Sequence, residues 1–301
     1  MDIIYVSGFG RSGSTLVESL LQKDYNAIGL GELYFIWDRG FLKNEKCTCG
    51  TPFRDCSYWS DVLKNAFGAI DEPKAKHFDA VFKSARGNRP SFHSLPGQLE
   101  SVSTEFKDIS QRLYGAINET LDGQALIDSS KYPLFGAALS QTNGLNVKPL
   151  HVFRDPRAVA HSWSKKKKRP EGSGKGAYMS RSKLTLSSIW RWKWFNHGAE
   201  QLGTQMHLPY LSVCYEDFCD ASERHMKRIA EFYDLKRRAT PFSGAWHSVS
   251  GNPARFEGSL GSIRKDEAWK EQLPGLAKIQ IDLTCMTQFN HMRTGALTSQ
   301  N

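Results

Sequence analysis

Two stretches of the chain carry residues whose types and spacing suit the binding of phosphate-like anions. The first, Gly8-Phe9-Gly10-Arg11-Ser12-Gly13-Ser14-Thr15, follows the apolar run Ile3-Ile4-Tyr5-Val6 and precedes Leu16-Val17-Glu18-Ser19-Leu20-Leu21, which can form a helix. Glycines let the backbone turn sharply, and a helix start presents unpaired N–H groups and a positive dipole end. Gly10, Arg11, Ser12, Gly13, Ser14 and Thr15 therefore form a ready anion seat. The spacing from Gly8 to Gly13, Ser14 and Thr15 fits a nucleotide P-loop except that Ser14 stands at the lysine position, while Gly8, Gly10 and Gly13 also satisfy the dinucleotide fingerprint. A missing lysine counts against an ordinary ATPase or GTPase, since that side chain meets the β- and γ-phosphates. Arg11 supplies a different cation, able to fork onto two oxygens.

The second stretch, Arg154-Asp155-Pro156-Arg157-Ala158-Val159-Ala160-His161-Ser162-Trp163, follows Leu150-His151-Val152-Phe153. Asp155 can cap a helix with Pro156 at its first position, so this segment again reads strand, turn, helix. Arg154 then stands at the carboxyl end of the strand, and Ser162 lies about two turns into the helix on the side of the turn's start. A ligand with phosphate groups at its two ends would use both seats.

The pair of motifs resembles the sulfotransferases that use 3′-phosphoadenosine 5′-phosphosulfate (PAPS). In that family a Gly-x-x-Arg-Ser-Gly-[ST]-[ST] loop holds the 5′-phosphosulfate and an Arg-Asp-Pro-Arg-x-x-x-x-Ser segment holds the 3′-phosphate; Gly8 to Thr15 and Arg154 to Ser162 match residue by residue. The resemblance extends from about residue 3 to about residue 273. Tyr215-Glu216-Asp217 looks like the family's Tyr-Glu-Asp stretch, and Gly261 to Lys270 looks like a late basic loop, which implies Arg264 and Lys265 as further 3′-phosphate ligands. It implies PAPS as donor, 3′-phosphoadenosine 5′-phosphate (PAP) as product, no metal, and transfer of a sulfuryl group to an acceptor hydroxyl.

Such a transfer needs the attacking hydroxyl and the leaving phosphate in line, cations for the developing charge, and a group to take the alcohol's proton. Gly31-Glu32 matches the glutamate bases of the tyrosyl-protein and several carbohydrate sulfotransferases. No histidine stands between the phosphate loop and residue 76, so the cytosolic histidine-type branch fits less well. Lys131, in Asp128-Ser129-Ser130-Lys131 after the strand Ala125-Leu126-Ile127, resembles the family's second catalytic cation, and Arg11 would share its work. The catalytic set is thus Glu32, Lys131 and Arg11.

These residues need a parallel sheet to hold them. Ile3–Val6, Ala125–Ile127, Leu150–Phe153 and Tyr210–Val213 are short, apolar and rich in β-branched residues, as buried strands are. Between them, Leu99, Val102, Phe106, Ile109, Leu113, Ile117 and Leu121 share one helical face, with Gly123 as a stop signal. Ala27 to Gly31 would run back beside the first helix, and Leu33–Trp37 would be helical. The expected fold is α/β and three-layered around a central parallel sheet. It is the sulfotransferase version of the P-loop nucleoside-triphosphate-hydrolase-like fold, in a single domain over residues 1–301, with ligands at the carboxyl ends of the strands.

Composition sets the outer limits. The chain has 301 residues, 40% of them hydrophobic, enough for a sizeable core, and no run of about 18 apolar residues that would span a membrane. Its start lacks the basic and long apolar regions of a secretion signal, so a cytoplasmic location is expected. The net charge of +9 favours anionic partners. Lys165-Lys166-Lys167-Lys168-Arg169 sits in a basic, Gly/Ser-rich stretch at 164–183 that suits a mobile lid over an acidic acceptor. Interleaved aromatics are missing, which disfavours nucleic acid. Trp190, Trp192, Trp194 and Phe195 read as helix core, with sugar stacking open to one of them. Six cysteines are too few for a disulfide scaffold; Cys47, Cys49 and Cys56 read as buried thiols or one disulfide rather than a metal site, since only distant histidines could complete the set. No heptad pattern points to an oligomer.

Three readings follow. The first is a sulfotransferase acting on a carbohydrate or glycolipid hydroxyl, with tyrosine or a small alcohol behind. The others are a nicotinamide oxidoreductase built on Gly8, Gly10 and Gly13, which leaves the Arg154–Ser162 segment without a purpose, and a non-enzymatic module binding polyanions.

Overall fold

The computed structural model describes residues 1–86, 94–100, 102–165, 186–244, 246–256 and 263–298. In chain order these form β1 (Asp2–Ser7), α1 (Ser14–Asp24), β2 (Ala27–Gly29), α2 (Ser57–Phe67), α3 (Glu72–Arg86), α4 (Leu95–Leu99), α5 (Thr104–Asn118), β3 (Ala125–Lys131), α6 (Pro133–Ser140), β4 (Asn146–Phe153), α7 (Pro156–Ser164), α8 (Leu186–Thr204), β5 (Leu211–Cys214), α9 (Tyr215–Asp220), α10 (Ser222–Phe232), α11 (Trp269–Gln272) and α12 (Gly275–Thr298). The strands pair in parallel in the order β2-β3-β1-β4-β5, with β1 between β3 (Ile3 opposite Leu126) and β4 (Ile3 opposite Val147).

Both faces of β1 are covered, which is why it reads as one unbroken apolar run. Ile3 and Tyr5 pack into a cluster with Phe106, Leu113, Phe135 and Leu139 from α5 and α6. Ile4 and Val6 point the other way, to Val17 and Leu21 of α1 and Ile229 of α10. A third cluster joins Phe9, Phe153, Trp192 and Phe195 to Ile281 and Phe289 of α12. Trp192, Trp194 and Phe195 are buried as expected, whereas Trp190 is 55% exposed.

Four expected strands are present, three of them extended by two to four residues and one shifted by one. The segment after α1 adds a fifth at the edge, β2, pairing Ala27 with Ala125. The long apolar stripe is cut in two. Ser103 caps α5 by accepting from the Phe106 N–H at 3.1 Å, so Leu99 belongs to α4 and Leu121 lies beyond the helix. Leu33–Phe35 forms a 3₁₀ turn and Ile36–Leu42 a π-helical turn closed by Lys43 N–H to Asp38 O at 3.0 Å, in place of one α-helix. Among the described residues no helix is long and apolar enough to cross a membrane. The proposed lid at 164–183 lies, from residue 166 on, outside the described residues.

Candidate active site at the carboxyl edge of the sheet

The glycine-rich loop turns where β1 ends. Gly13 has φ 93°, and its carbonyl accepts the Leu16 and Val17 N–H groups at 3.0 and 3.1 Å, which starts α1. A Cβ there would strike the Tyr215 ring, so only glycine fits both the turn and the neighbour. Arg11, at φ 75°, is one of the non-glycine residues in the left-handed region, a conformation that costs about 1 kcal/mol or more and tends to persist at functional sites. Its guanidinium lies 5.2 Å from the Trp163 ring centroid, and Trp163 Nε1 donates to Gly10 O at 3.1 Å. The segment at 154–163 thereby clamps the glycine-rich loop.

That segment is formed as expected. Asp155 accepts from the Arg157 N–H at 2.8 Å and opens α7 with Pro156 at its first position. Arg154 is 6% exposed and stacks over Tyr215 at 4.4 Å; it donates to Asp266 O at 2.9 Å and to Arg11 O at 3.5 Å. Glu216 accepts from the Asp155 N–H at 3.2 Å, which gives the Tyr-Glu-Asp stretch a structural task. The two motifs therefore meet, although 143 residues separate Arg11 from Arg154.

They open into one cavity of about 410 Å³, lined by Gly10, Arg11, Gly13, Ser14, Thr15, Arg154 and Ser162 together with Glu32 and Lys131. Ser12, within the loop, is buried and does not line the cavity. Arg264 and Lys265 do not line the cavity: Lys265 donates to Asp220 at 2.5 Å, while the Arg264 carbonyl accepts from Tyr215 Oη at 3.4 Å.

Glu32 and Lys131 face each other, with Lys131 Nζ donating to Glu32 Oε1 at 2.5 Å. An irregularity in the β1–β3 ladder explains how Lys131 arrives there. Two steps on β1, from Tyr5 to Ser7, oppose three on β3, from Asp128 to Lys131. The extra residue re-aims the strand end, and Lys131 sits at φ 73°. Burial works to raise the Glu32 carboxyl, but the Lys131, Arg39 and Arg255 charges outweigh it and hold it below the usual carboxylate range. Ser250 Oγ donates to Glu32 Oε2 at 3.3 Å, and Glu32 N–H donates to Val249 O at 2.8 Å. Gly31 just before has φ 76°, and a Cβ there would strike the Val249 carbonyl.

Behind the pair, Glu18 accepts from Gly31 N–H at 3.0 Å and from Ser129 Oγ at 2.5 Å, tying α1 to the ends of β2 and β3. Asp128 accepts from Tyr114 Oη at 2.6 Å and Ser130 N–H at 2.9 Å; burial pushes its carboxyl up to about 6 against those bonds.

Several lining residues carried no role in the sequence. Trp163 and Tyr215 stood inside the quoted motifs, so their position was visible but not their stacking on Arg11 and Arg154. Arg39, which bonds Glu45 and Ser250, and the Ser250–Asn252 strap come to Glu32 only through tertiary folding. Phe35, Tyr132 and Phe195 add aromatic surface to the cavity. A separate cluster forms where Cys47, Cys49 and Cys56 meet His247, the fourth residue that sequence distance had concealed.

No protein-family model matches the sequence, and no curated protein matches it. Among solved structures, the sulfotransferase domain from the Synechococcus PCC 7002 olefin synthase is similar over 94% of this chain and 94% of its own, with TM-score 0.53 and 18% identity. The α/β fold, with its central parallel sheet flanked by helices, is of this sulfotransferase P-loop type. Strand order also separates it from the dinucleotide-binding fold. There β2 adjoins β1; here β3 stands between them.

Proposed function

We propose that the chain is a sulfotransferase that moves a sulfuryl group from PAPS to an acceptor hydroxyl. One observation carries the reading: two anion-binding motifs, distant in sequence, adjoin in a single cavity that also holds a carboxylate–lysine pair.

In this reading Arg11 and the N–H groups of the Gly10–Thr15 turn hold the 5′-phosphosulfate, and Arg154 with Ser162 holds the 3′-phosphate. Arg264 and Lys265, on either side of Tyr215's bond and next to Asp266, would join the 3′-phosphate, Lys265 by leaving Asp220. Glu32 takes the proton of the acceptor hydroxyl as its oxygen bonds to sulfur. The bond from sulfur to the 5′-phosphate oxygen breaks, and its electron pair leaves with PAP. Lys131, released from Glu32 as that carboxylate is protonated, neutralises the leaving oxygen.

A carbohydrate or glycolipid hydroxyl suits the remaining space. Phe35, Tyr132 and Phe195 line the same cavity as Glu32, and aromatic faces pack against the apolar faces of sugar rings. Of Trp190, Trp192, Trp194 and Phe195, it is Phe195 that lines this cavity.

Thermal denaturation with three ligands tests the proposal, since a ligand of the native state raises the midpoint. Adenosine 3′,5′-bisphosphate should raise it strongly, and neither a nicotinamide dinucleotide nor an oligonucleotide should. A rise with the dinucleotide alone would favour the oxidoreductase reading, and one with the oligonucleotide alone the polyanion module.

A further inference from the structure

Cys47, Cys49, Cys56 and His247 each offer one ligand atom, and the four atoms all lie within 4.8 Å of one another. Three of the separations are individually informative. Cys49 Sγ lies 3.7 Å from Cys56 Sγ, Cys47 Sγ lies 3.7 Å from His247 Nδ1, and Cys56 Sγ lies 3.3 Å from the same nitrogen. Zinc holds thiolate sulfur at about 2.3 Å and imidazole nitrogen at about 2.0–2.1 Å in a tetrahedron, whose edges are then about 3.8 Å between sulfurs and about 3.6 Å from sulfur to nitrogen. The three separations above fall within about 0.3 Å of those edges, and none of the others exceeds 4.8 Å. A disulfide would instead bring two sulfurs to about 2.05 Å.

The surrounding chain is shaped to hold four ligands. Gly50 N–H donates to Cys47 O at 2.9 Å, and Cys47 N–H donates to Thr51 O at 2.9 Å, folding Cys47-Thr48-Cys49-Gly50 into a tight knuckle with Gly50 at φ 94°. Thr48 fastens the distant segment of the cluster: its hydroxyl donates to Trp246 O at 2.5 Å and accepts from Ser248 N–H at 2.8 Å, on both sides of His247. The His247 ring stacks on Tyr58, with centroids 4.8 Å apart and planes at 14°. Cys47 and Cys56 are buried, 1% and 2% exposed.

We infer that Cys47, Cys49, Cys56 and His247 bind a divalent metal of zinc type in a closed, four-ligand structural site. Three soft thiolates and one imidazole select zinc over the hard cations that prefer oxygen, and four protein ligands leave no position open for substrate. The site staples the knuckle at 47–56 to the strap at 246–252. That strap also bonds Leu30 and Glu32 through Val249, at 2.8 Å each, and reaches Glu32 through Ser250.

Metal analysis of the full chain purified from zinc-supplied cells, before and after treatment with a strong chelator, tests this without reference to turnover. The untreated protein should carry a single zinc per chain, and chelation should remove it and lower the thermal midpoint. Cobalt(II) should restore the midpoint and give the visible bands and thiolate charge-transfer absorption of a tetrahedral site. His247→Ala and Cys49→Ser should each lose the metal, while His247→Cys, which keeps a soft fourth ligand, should retain it. Wild-type protein that holds no zinc even after reconstitution would overturn the inference, whether intact mass shows four unmodified residues or the two-hydrogen loss of a disulfide. Because the wild-type stoichiometry and cobalt spectrum stand apart from the variants, misfolding of a substituted chain does not blur the outcome.

Discussion

Lys131 Nζ lies 2.5 Å from Glu32 Oε1, although 99 residues separate them, and the two side chains are 14% and 16% exposed. A carboxylate tied this closely to an ammonium is ionised at neutral pH and so is ready to accept a proton. The lysine that ties it is in turn a cation that can be handed to a leaving group. The proposed chemistry uses both properties.

Replacing the carboxylate should separate binding from turnover. Glu32→Gln keeps the shape of the side chain and removes its basicity, so the thermal shift with adenosine 3′,5′-bisphosphate should stay near that of the wild type. Sulfuryl transfer, followed with labelled donor, should fall by about 100- to 10,000-fold. A glutamine variant with normal turnover would place the base elsewhere.

Lys131→Met should lower kcat by about 100- to 1,000-fold and also move the acid limb of the pH profile. Burial raises the Glu32 carboxyl while Lys131 is the largest of the charges lowering it. Without the lysine the carboxylate protonates at higher pH, and the base form is lost sooner on acidification. The limb should therefore shift upward in the residual activity of the variant; a downward shift, or none, contradicts the pairing.

Gly13→Ala should cost more than the strain of its backbone. Alanine at φ 93° is unfavourable by itself, and its Cβ would push into Tyr215, on which Arg154 rests. Gly123, at φ 74° with open space around its Cα, is the control. We expect about 1 kcal/mol of destabilisation for Gly123→Ala with nucleotide binding intact. For Gly13→Ala we expect about 1–3 kcal/mol and loss of the nucleotide-induced thermal shift.

Asp128 should make stability fall as pH rises through the weakly acidic range. Its carboxyl, ordinarily near 3.8, is raised by burial to about 6, so between those values the native state holds more protons than the unfolded one. The slope of unfolding free energy against pH is negative in that window and this contribution is flat above it. Glu18, also raised by burial, acts in the same direction. In thermal melts from pH 4 to pH 7, Asp128→Asn should show a shallower decline than the wild type, leaving the Glu18 part.

Local patterns made most of the sheet and both strand–turn–helix segments legible. Apolar runs ending in glycine or Arg-Asp-Pro must put their turns at one sheet edge when the strands are parallel, and Arg11, Arg154 and Ser162 came together for that reason. What stayed hidden depended on contacts across the chain. Ser250 reaches Glu32 over 218 residues and His247 reaches Cys56 over 191, and no spacing rule links such positions. The cap at Ser103 interrupted a stripe whose periodicity alone looked continuous. Lys265 was matched by its neighbours in sequence, yet its side chain takes the nearby Asp220 instead of the cavity.

In the proposed function the Arg11 and Arg154 motifs hold opposite ends of one nucleotide. Calorimetric titration of wild type and Arg154→Ala with adenosine 5′-monophosphate and with adenosine 3′,5′-bisphosphate measures it directly. Wild type should bind the bisphosphate about 10- to 150-fold more tightly, the worth of a charged hydrogen-bonded contact. Arg154→Ala should lose most of that preference while binding the monophosphate about as tightly as wild type does. Equal weakening of both ligands by the substitution, or no preference for the bisphosphate in wild type, would contradict it.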